Sequence, residues 1–377
     1  AKFSPDGSSV AYVYQNNLFV QDLDSFEIAQ LTRGGSERII NGTSDWVYEE
    51  ELGVRDGFRW SPDSQFIAYW QFDTEGVQQF TLVNYAEELY PKLTTFQYPK
   101  VGQVNSAVRV GVIAAAGGGK TQWLRIPGDS REHYIHSLEW RPDQSDIVAQ
   151  QLNRLQNVNR VYACTVNTSQ EHFTVSDPRL VFEDSDDAWV NVRGRNLMWR
   201  DNAESFLYLS ERDGWSHLYR VEFESGVSKL LSPGDYDVIE VVGVDEIQGW
   251  VLVMASPHNP TQRYLYRIPL AGGPTERLTP SEQPGTHSYQ TSEDATWAIH
   301  TYSTFGQVPV IDLVRLPEHR AVRVLEASET ARDNIAELKP FPLDFFRIDA
   351  NGTQNDGWVI NPPEFDPNQK YPLLIHV

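Results

Sequence analysis

The sequence is short of cysteine and methionine and has no long apolar run, which excludes several classes of protein. A single cysteine, Cys164, rules out an internal disulfide framework. Because Cys164 lies in the apolar run 161–166, we expect a buried structural thiol and not a nucleophile. No stretch approaches the ~20 apolar residues of a membrane-spanning helix, and no signal peptide begins the chain. The sequence starts inside a repeat at Ala1, from which we expect a processed or trimmed fragment.

Basic residues are also scarce, because 31 Lys and Arg stand against 52 Asp and Glu, for a formal net charge of -21. Such a charge repels the phosphates of nucleic acid, so we expect no nucleic-acid partner. The same field attracts cationic ligands such as peptide amino termini, although an acidic coat that keeps the chain soluble has the same composition. The charge therefore permits a peptide partner without requiring one.

Motifs for catalysis and for cofactors are missing as well. The nucleophile-elbow pattern Gly-x-Ser-x-Gly occurs nowhere, so the chain alone lacks the nucleophile of such hydrolases. The run 117–121 resembles the end of a phosphate-binding loop, but Ala114 replaces a required glycine, and β-like runs on both sides predict a hairpin turn. His133 and His136 have no neighbouring ligands that complete a metal site. We expect no metal and no cofactor.

The sequence does contain a repeated pattern, in which an aromatic residue and a Ser/Arg-Pro-Asp turn precede a β-rich run. Proline presets φ at the first central position of a turn, and Asp, Asn or Gly suits the next, so each copy predicts a tight turn that enters a strand. Copies begin about 45 to 80 residues apart, which brackets a four-stranded propeller blade with insertions. We therefore predict an all-β fold, a β-propeller of four-stranded blades. Three strong and three weaker copies occupy 3–13, 60–70, 140–149, 199–208, 244–253 and 291–299.

The character of the sequence changes after Leu338. Three strand-like runs follow, at 343–348, 357–360 and 371–377. The last run is nearly all apolar, as expected of a strand buried on both faces of an α/β sheet. We predict a propeller over 1–338 and the first strands of an α/β-hydrolase domain over 339–377.

The strongest candidate site is the acidic run 45–51, which lies in an insert between the first two repeat copies. Ser44 or Asp45 can cap a helix, and the helix dipole favours acids in its first turns. Adjacent side chains diverge on a strand but lie about 100° apart on a helix, so Glu50 and Glu51 can share one ammonium group only if the segment is helical. A bound cation would remove their mutual repulsion. The alternative is that the run is simply a solvated acidic face.

Several stretches resemble the propeller of the dipeptidyl peptidase IV family, serine peptidases of the prolyl oligopeptidase type. The resemblance covers essentially the whole chain, and its motifs are specific. The final stretch resembles the entry into that family's α/β-hydrolase domain. The stretches are 45–51 with 60–63 and 67–72, 90–92, 98–102 with Asn105, 210–219, and 366–377.

The resemblance implies most of an eight-bladed propeller, attached to a Ser-Asp-His hydrolase that removes Xaa-Pro and Xaa-Ala dipeptides from peptides with a free amino terminus. By position in the motif, Glu50 and Glu51 would bind the α-ammonium group of the substrate and so limit the product to a dipeptide. Trp46 and Tyr48 would pack the supporting helix. The resemblance further implies a homodimeric parent enzyme and an exported, periplasmic or extracellular location.

The resemblance also indicates what this chain lacks. The family's first blade, which supplies one arginine of the substrate pocket, would precede Phe3. The catalytic triad and an oxyanion-stabilising tyrosine would follow Val377, so we expect the fragment alone to be inactive. A second pocket arginine aligns near Arg193 and Arg195, but the spacing differs by one residue and neither is assigned.

Two other interpretations remain open at this stage. A homologue whose serine is replaced would be a non-catalytic propeller that binds peptides or proteins, and the sequence that follows Val377 would decide between the two. A sialidase-type propeller is the other alternative, because Ser-x-Asp turns resemble the Asp-boxes of those enzymes. None of the repeat copies continues with Gly-x-Thr-Trp, as those boxes do.

Overall fold

The computed structural model describes residues 1–169, 172–192, 197–338 and 341–376, and nearly all of their regular structure is β-strand. The strands form six sheets of four or five antiparallel strands and two separate hairpins. Each of the six repeat copies spans two consecutive strands of one sheet. The sheets are the blades of a β-propeller, as the repeat predicts.

The chain divides into two compact units. The first comprises Ala1–Gly214 with Leu218–Lys229, and the second comprises Trp215–His217 with Leu230–Val377. The first four sheets belong wholly or mainly to the first unit. Their elements, with the helix and hairpin inserted among them, are β1 (Lys2–Phe3), β2 (Ser9–Tyr14), β3 (Asn17–Asp22), β4 (Ile28–Gln30), β5 (Ile39–Asn41), α1 (Trp46–Glu50), β6 (Phe58–Trp60), β7 (Phe66–Asp73), β8 (Gln79–Asn84), β9 (Lys92–Gln97), β10 (Ala107–Ala114), β11 (Gln122–Trp123), β12 (His133–Trp140), β13 (Asp146–Asn153), β14 (Val158–Thr168), β15 (Phe173–Val175), β16 (Arg179–Ser185), β17 (Met198–Arg200), β18 (Ser205–Ser210), β19 (His217–Glu222) and β20 (Ser228–Leu230).

The second unit contains two four-stranded sheets, a helix that the sequence did not predict, and a hairpin. Its elements are β21 (Val238–Asp245), β22 (Trp250–Ala255), β23 (Tyr264–Pro269), β24 (Glu276–Arg277), β25 (Thr286–Thr291), β26 (Trp297–Ser303), β27 (Val310–Arg315), β28 (Arg320–Glu326), α2 (Glu329–Ala336), β29 (Leu343–Ala350) and β30 (Thr353–Ile360).

The repeated turn has one hydrogen-bonding pattern in three of the blades. In the second blade, Ser61 Oγ donates to Asp63 Oδ1 at 2.6 Å and accepts the backbone N–H of Phe66 at 2.9 Å. Ser4 and Ser292 make the same pair of bonds at the equivalent turns. The serine therefore closes the turn and holds the start of the second strand, which explains why the pattern recurs at the entry to a blade.

The core of the first unit lies between the faces of consecutive blades. Leu18 on β3 shares a fully buried cluster with Ile67 and Tyr69 on β7. Val148 on β13 likewise packs in one cluster with Phe206 on β18. Because each blade buries apolar side chains against the next, no sheet has to form an independent core. Each fully buried side chain of this size contributes about 1.5 to 3 kcal/mol.

The acidic helix α1 interrupts one edge of the second blade. Strand β5 pairs with 71–73 of β7, and β6 pairs with 67–69 of the same strand. Both partners lie on one edge of β7, because β10 occupies the other edge. The chain thus leaves that edge after β5, forms α1, and returns to the edge as β6.

The predicted hairpin turn is confirmed, because Gly117 and Gly118 connect β10 to β11. Their φ angles of 80° and 75° lie in the left-handed region that glycine adopts without strain. Two of the three strands predicted after Leu338 are present, as β29 and β30. The domain boundary at 338 stays a prediction.

The prediction of a third strand at 371–377 is wrong for the residues that the structure describes. The run 371–376 has no regular secondary structure, and Leu373, Leu374 and Ile375 are 77%, 93% and 72% exposed. A strand of a parallel sheet needs neighbours that bond its backbone and cover its faces. Within the described residues no strand pairs with this run. An apolar sequence alone was not sufficient to form the strand.

Candidate functional site

Helix α1 begins at a side-chain cap, as the sequence predicts. Of the two candidates, Asp45 is the N-cap residue, and its Oδ1 accepts the backbone N–H of Tyr48 at 3.0 Å. Asp45 Oδ2 accepts the hydroxyl hydrogen of Ser106 at 2.6 Å. Burial raises the pKa of the Asp45 carboxyl, although both hydrogen bonds act in the opposite direction. The cap therefore joins α1 to the segment just before β10.

Two aromatic residues pack α1 against neighbouring segments, Tyr48 against the sheet and Trp46 against the segment after β9, which confirms the packing role predicted for them. The Tyr48 side chain is 2% exposed, its ring centroid lies 4.6 Å from that of Phe72, and burial raises its pKa well above the ordinary value. Its hydroxyl oxygen accepts the backbone N–H of Ile135 at 2.9 Å. The ring of Trp46 lies 4.2 Å from that of Tyr98. The helix is therefore fixed on two sides.

Glu50 is the last residue of α1 and Glu51 is its C-cap, which keeps helical backbone angles of φ -88° and ψ -38°. Both side chains are exposed. Among the described residues neither glutamate forms an ion pair, and the last turn of α1 has no basic residue. Only Glu49 lies in the first turn, so the expected dipole stabilisation does not apply to the other two acids. They lie at the carboxyl end, where the helix carbonyls add to the negative potential.

A cleft of about 370 Å³ opens beside Glu51. Larger clefts exist, including one of about 490 Å³ at the turns of the second and third blades, but α1 does not line it. The pocket-arginine candidates, Arg193 and Arg195, lie outside the described residues. Sequence reasoning missed the other members of this site, because they come from distant segments without a shared motif. The cleft is lined by Glu51, Leu52, His136, Leu152, Gln156 and 189–192.

The neighbouring stretch noted in the sequence, around Asn105, braces this region. Asn105 Nδ2 donates to the hydroxyl oxygen of Tyr134 at 2.8 Å, and its carbonyl oxygen accepts a guanidinium hydrogen of Arg131 at 2.7 Å. The ring of Tyr134 also lies 6.1 Å from that of Tyr48. These contacts link the insert that follows β9 to the residues that support α1.

No metal site or reactive thiol accompanies these acids in the part of the chain that the structure describes. No group of three or more His, Cys, Asp or Glu residues there is arranged to hold a metal ion. Cys164 is buried on β14, and burial raises the pKa of its thiol to about 12, so it is not a nucleophile at neutral pH. None of the helices described is sufficiently long and apolar to cross a membrane. The end of α1 therefore presents carboxylates alone, Glu50 and Glu51, as its charged groups.

Six consecutive antiparallel blades, with an acidic helix inserted at one edge of the second, define a β-propeller with two exposed acids at the end of that helix. Residues 1–309 match the family model described as the dipeptidyl peptidase IV (DPP IV) N-terminal region, and the chain belongs to this family.

Similar sequences and a solved structure agree with this assignment. The chain is 28% identical to a probable dipeptidyl peptidase 4 of Aspergillus fumigatus, over 99% of this chain and 49% of that protein. It is 26% identical to the human prolyl endopeptidase FAP, over 100% of this chain and 51% of that protein. It also matches the crystal structure of Porphyromonas gingivalis dipeptidyl peptidase 4, with a TM-score of 0.86, 29% identity, 98% of this chain and 51% of that chain. The chain thus spans about half the length of these relatives.

Proposed function

We propose that this chain is the substrate-recognition propeller of a longer serine peptidase, which removes Xaa-Pro or Xaa-Ala dipeptides from free amino termini. In this proposal Glu50 and Glu51 bind the α-ammonium group of the peptide. The catalytic triad lies in a hydrolase domain outside this chain. The observation that carries the proposal is that two consecutive acids, both exposed and without a described counterion, end a helix that is rigidly held.

The charge at this end of α1 favours a cationic ligand. Two carboxylates beside the helix carbonyls raise the negative potential, and the last turn supplies no cation to neutralise it. An ammonium group has three N–H donors and a full positive charge, so it can form charge-assisted hydrogen bonds with both carboxylates. Because Asp45 and Tyr48 fix the helix before the ligand arrives, little ordering of the protein is required.

The names of the relatives include both a dipeptidyl peptidase and a prolyl endopeptidase, so the requirement for a free amino terminus needs a direct test. The test compares Gly-Pro-p-nitroanilide with its N-acetylated form, in the full-length protein that carries this chain. Glu50→Gln with Glu51→Gln should lower kcat/KM for the free-amine substrate by roughly 100-fold or more, as expected when a charge pair loses one partner. The acetylated substrate should be a poor substrate for both proteins.

Glu49→Gln is the matched control, because Glu49 is exposed on the same helix but lies in its first turn. It should leave kcat/KM nearly unchanged. If the double variant cleaves the free-amine substrate as well as the wild type does, the ammonium-binding role is wrong. If the full-length protein cleaves neither substrate yet binds Gly-Pro-Gly in calorimetry, the non-catalytic peptide-binding alternative is correct.

A further inference from the structure

A β-bulge in β12 changes the direction of one side chain near α1. The pairing with β13 passes from Ile135 opposite Gln151 to Ser137 opposite Gln150, which leaves His136 without a partner on β13. Bulges commonly redirect a side chain beside a binding site. Two side chains stabilise this bulge through hydrogen bonds to the backbone N–H and the carbonyl of Ile135. Its N–H donates to the hydroxyl of Tyr48 at 2.9 Å, and its carbonyl accepts the indole N–H of Trp70 at 2.7 Å.

The hydrogen bonds of His136 define its tautomer. Its Nε2 lies 3.0 Å from Oδ1 of Asn159, and the Nδ2 of Asn159 donates to Tyr208 and to Gln150. The Oδ1 atom of Asn159 is therefore the acceptor, and Nε2 of His136 carries the hydrogen. Burial lowers the pKa of His136 to about 4, so the ring is neutral at pH 7 and its Nδ1 is a free acceptor.

The side chain of His136 is 4% exposed, and it lines the cleft that Glu51 also lines. Within the described residues, Nδ1 of His136 has no hydrogen-bond partner. The cleft combines apolar walls with polar groups and contains one acid, while the described residues that line it include no Lys or Arg. Such a cleft suits a side chain with an apolar stem and a hydrogen-bond donor at its tip. The lining residues that matter here are Glu51, Leu52, His136, Gln156, Trp189 and Val190.

We infer that Nδ1 of His136 selects the first residue of the substrate, by accepting a hydrogen bond from a donor at the tip of that residue's side chain. This inference rests on the proposed function. If Glu51 holds the α-ammonium group, the side chain attached to the same Cα atom is the part of the peptide nearest the adjoining cleft. First residues with an N–H or O–H at the tip are then preferred over residues of equal size without one.

Tyrosine and phenylalanine form the sharpest substrate pair, because they differ only by the hydroxyl group. In the full-length protein, kcat/KM for Tyr-Pro-p-nitroanilide should exceed that for Phe-Pro-p-nitroanilide by roughly five- to tenfold, the value of one hydrogen bond. Lys-Pro should likewise exceed norleucine-Pro. His136→Leu removes the acceptor at similar volume and should bring the Tyr/Phe ratio close to one, chiefly by raising KM for Tyr-Pro.

His133→Leu is the matched control, since His133 is buried on the same strand but does not line the cleft. It should leave the Tyr/Phe ratio as in the wild type. A wild-type ratio near one overturns the inference without any variant, and so does a ratio that His136→Leu leaves unchanged. The comparison of free and acetylated Gly-Pro substrates is independent of this ratio. Loss of the free-amine requirement therefore refutes the proposed function, whereas loss of the Tyr/Phe preference alone refutes only the role of His136.

Discussion

The Nδ1 atom of His300 lies 2.9 Å from a carboxylate oxygen of Asp312, at one end of a row of hydrogen bonds that crosses the sixth blade. The row continues from Nε2 of His300 to Nδ1 of His287 at 2.8 Å. It ends where Nε2 of His287 lies 3.0 Å from the carbonyl oxygen of Gln283. A carboxylate and a carbonyl oxygen, which both accept hydrogen bonds, stand at the two ends of the row. Each of the three hydrogen bonds needs one hydrogen, but the two neutral imidazoles of His287 and His300 carry only one N–H each. The third proton must lie between His300 and Asp312.

Burial indicates which of the two groups holds this proton. It raises the pKa of the Asp312 carboxyl and lowers the pKa of His300 to about 4. Both effects favour a carboxylic acid that donates to a neutral imidazole over an ion pair. His319 and Tyr289 pack against the same row, and burial lowers the pKa of His319 to about 4 as well. The imidazoles of the row are therefore neutral at pH 7, and the Asp312 carboxyl keeps its proton to a higher pH in the folded protein than in the unfolded chain.

Asp312→Asn should preserve this row without the extra proton, because an amide N–H can donate to Nδ1 of His300. Folding raises the pKa of Asp312. The protonated carboxyl therefore contributes its full share to the free energy of unfolding below the unfolded pKa of about 3.9, and this share is lost as pH rises through the folded pKa. We expect the variant to match the wild type in free energy of unfolding near pH 4 and to exceed it at pH 9. Urea unfolding at several pH values measures this difference.

Asp312→Ala is the control for the hydrogen bond itself, and it should lower the free energy of unfolding by about 1 to 3 kcal/mol near pH 4. If Asp312→Asn is as unstable as Asp312→Ala at every pH, the group beside His300 is a required carboxylate and the proton count is wrong.

Much of the fold could be predicted because one turn chemistry repeats. The bonds of Ser61 to Asp63 and to the backbone of Phe66 are local and recur in three blades, so the sequence reports them directly, and the six repeat copies correspond to six blades. Helix α1 was predictable for the same reason, since its Asp45 cap acts only three residues away. The run 371–376 was not, because a strand buried in a sheet depends on neighbours that its own sequence does not reveal.

The candidate site was predictable only in part. Glu50 and Glu51 are adjacent, so the helical backbone at both residues follows from the local cap at Asp45. His136 lines the cleft because of a bulge, which a hydrogen bond between Ile135 and Tyr48, 87 residues apart, stabilises. No local sequence pattern predicts such a hydrogen bond. The proton row likewise joins residues on three strands, and none of them stands out in the sequence. Tertiary hydrogen bonds created these features, and periodicity does not predict them.

Glu139 on β12 is a second group whose protonation should affect stability. It is 8% exposed, and its carboxylate accepts the backbone N–H of Leu197 at 2.9 Å and the indole N–H of Trp199 at 3.2 Å. Burial, the largest influence, nevertheless raises its pKa from 4.5 to about 7. The folded protein therefore holds a proton on Glu139 in a pH range where the unfolded chain has lost it.

The contribution of protonated Glu139 to the free energy of unfolding is then complete below pH 4.5. It falls by about 3 kcal/mol in all as pH rises through about 7. Glu139→Gln keeps one acceptor and cannot ionise, so its free energy of unfolding should lack this decline. The quantity to measure is the difference between variant and wild type, in urea at pH 4.5, 6, 7 and 8, which cancels the other titrating groups. A difference that stays constant over this range would mean that Glu139 ionises normally in the folded state.

Tyr48 connects the two halves of the site, because it supports α1 and also holds the bulge that directs His136. Its hydroxyl is the partner of the backbone N–H of Ile135, which is buried together with it. A buried N–H that loses its acceptor costs the desolvation energy of that group, about 1 to 3 kcal/mol. The rest of the Tyr48 ring packs on Phe72 and does not depend on the hydroxyl.

Tyr48→Phe should therefore lower the free energy of unfolding by about 1 to 3 kcal/mol and loosen both α1 and the bulge. In the full-length protein, KM for free-amine dipeptidyl substrates should rise, and the preference for a first residue with a donor should weaken at the same time. Tyr14→Phe is the matched control, since the Tyr14 side chain is 60% exposed and should tolerate the change. If Tyr48→Phe lowers stability yet leaves both kinetic quantities unchanged, the helix and the bulge are positioned independently, and Tyr48 is a packing residue alone.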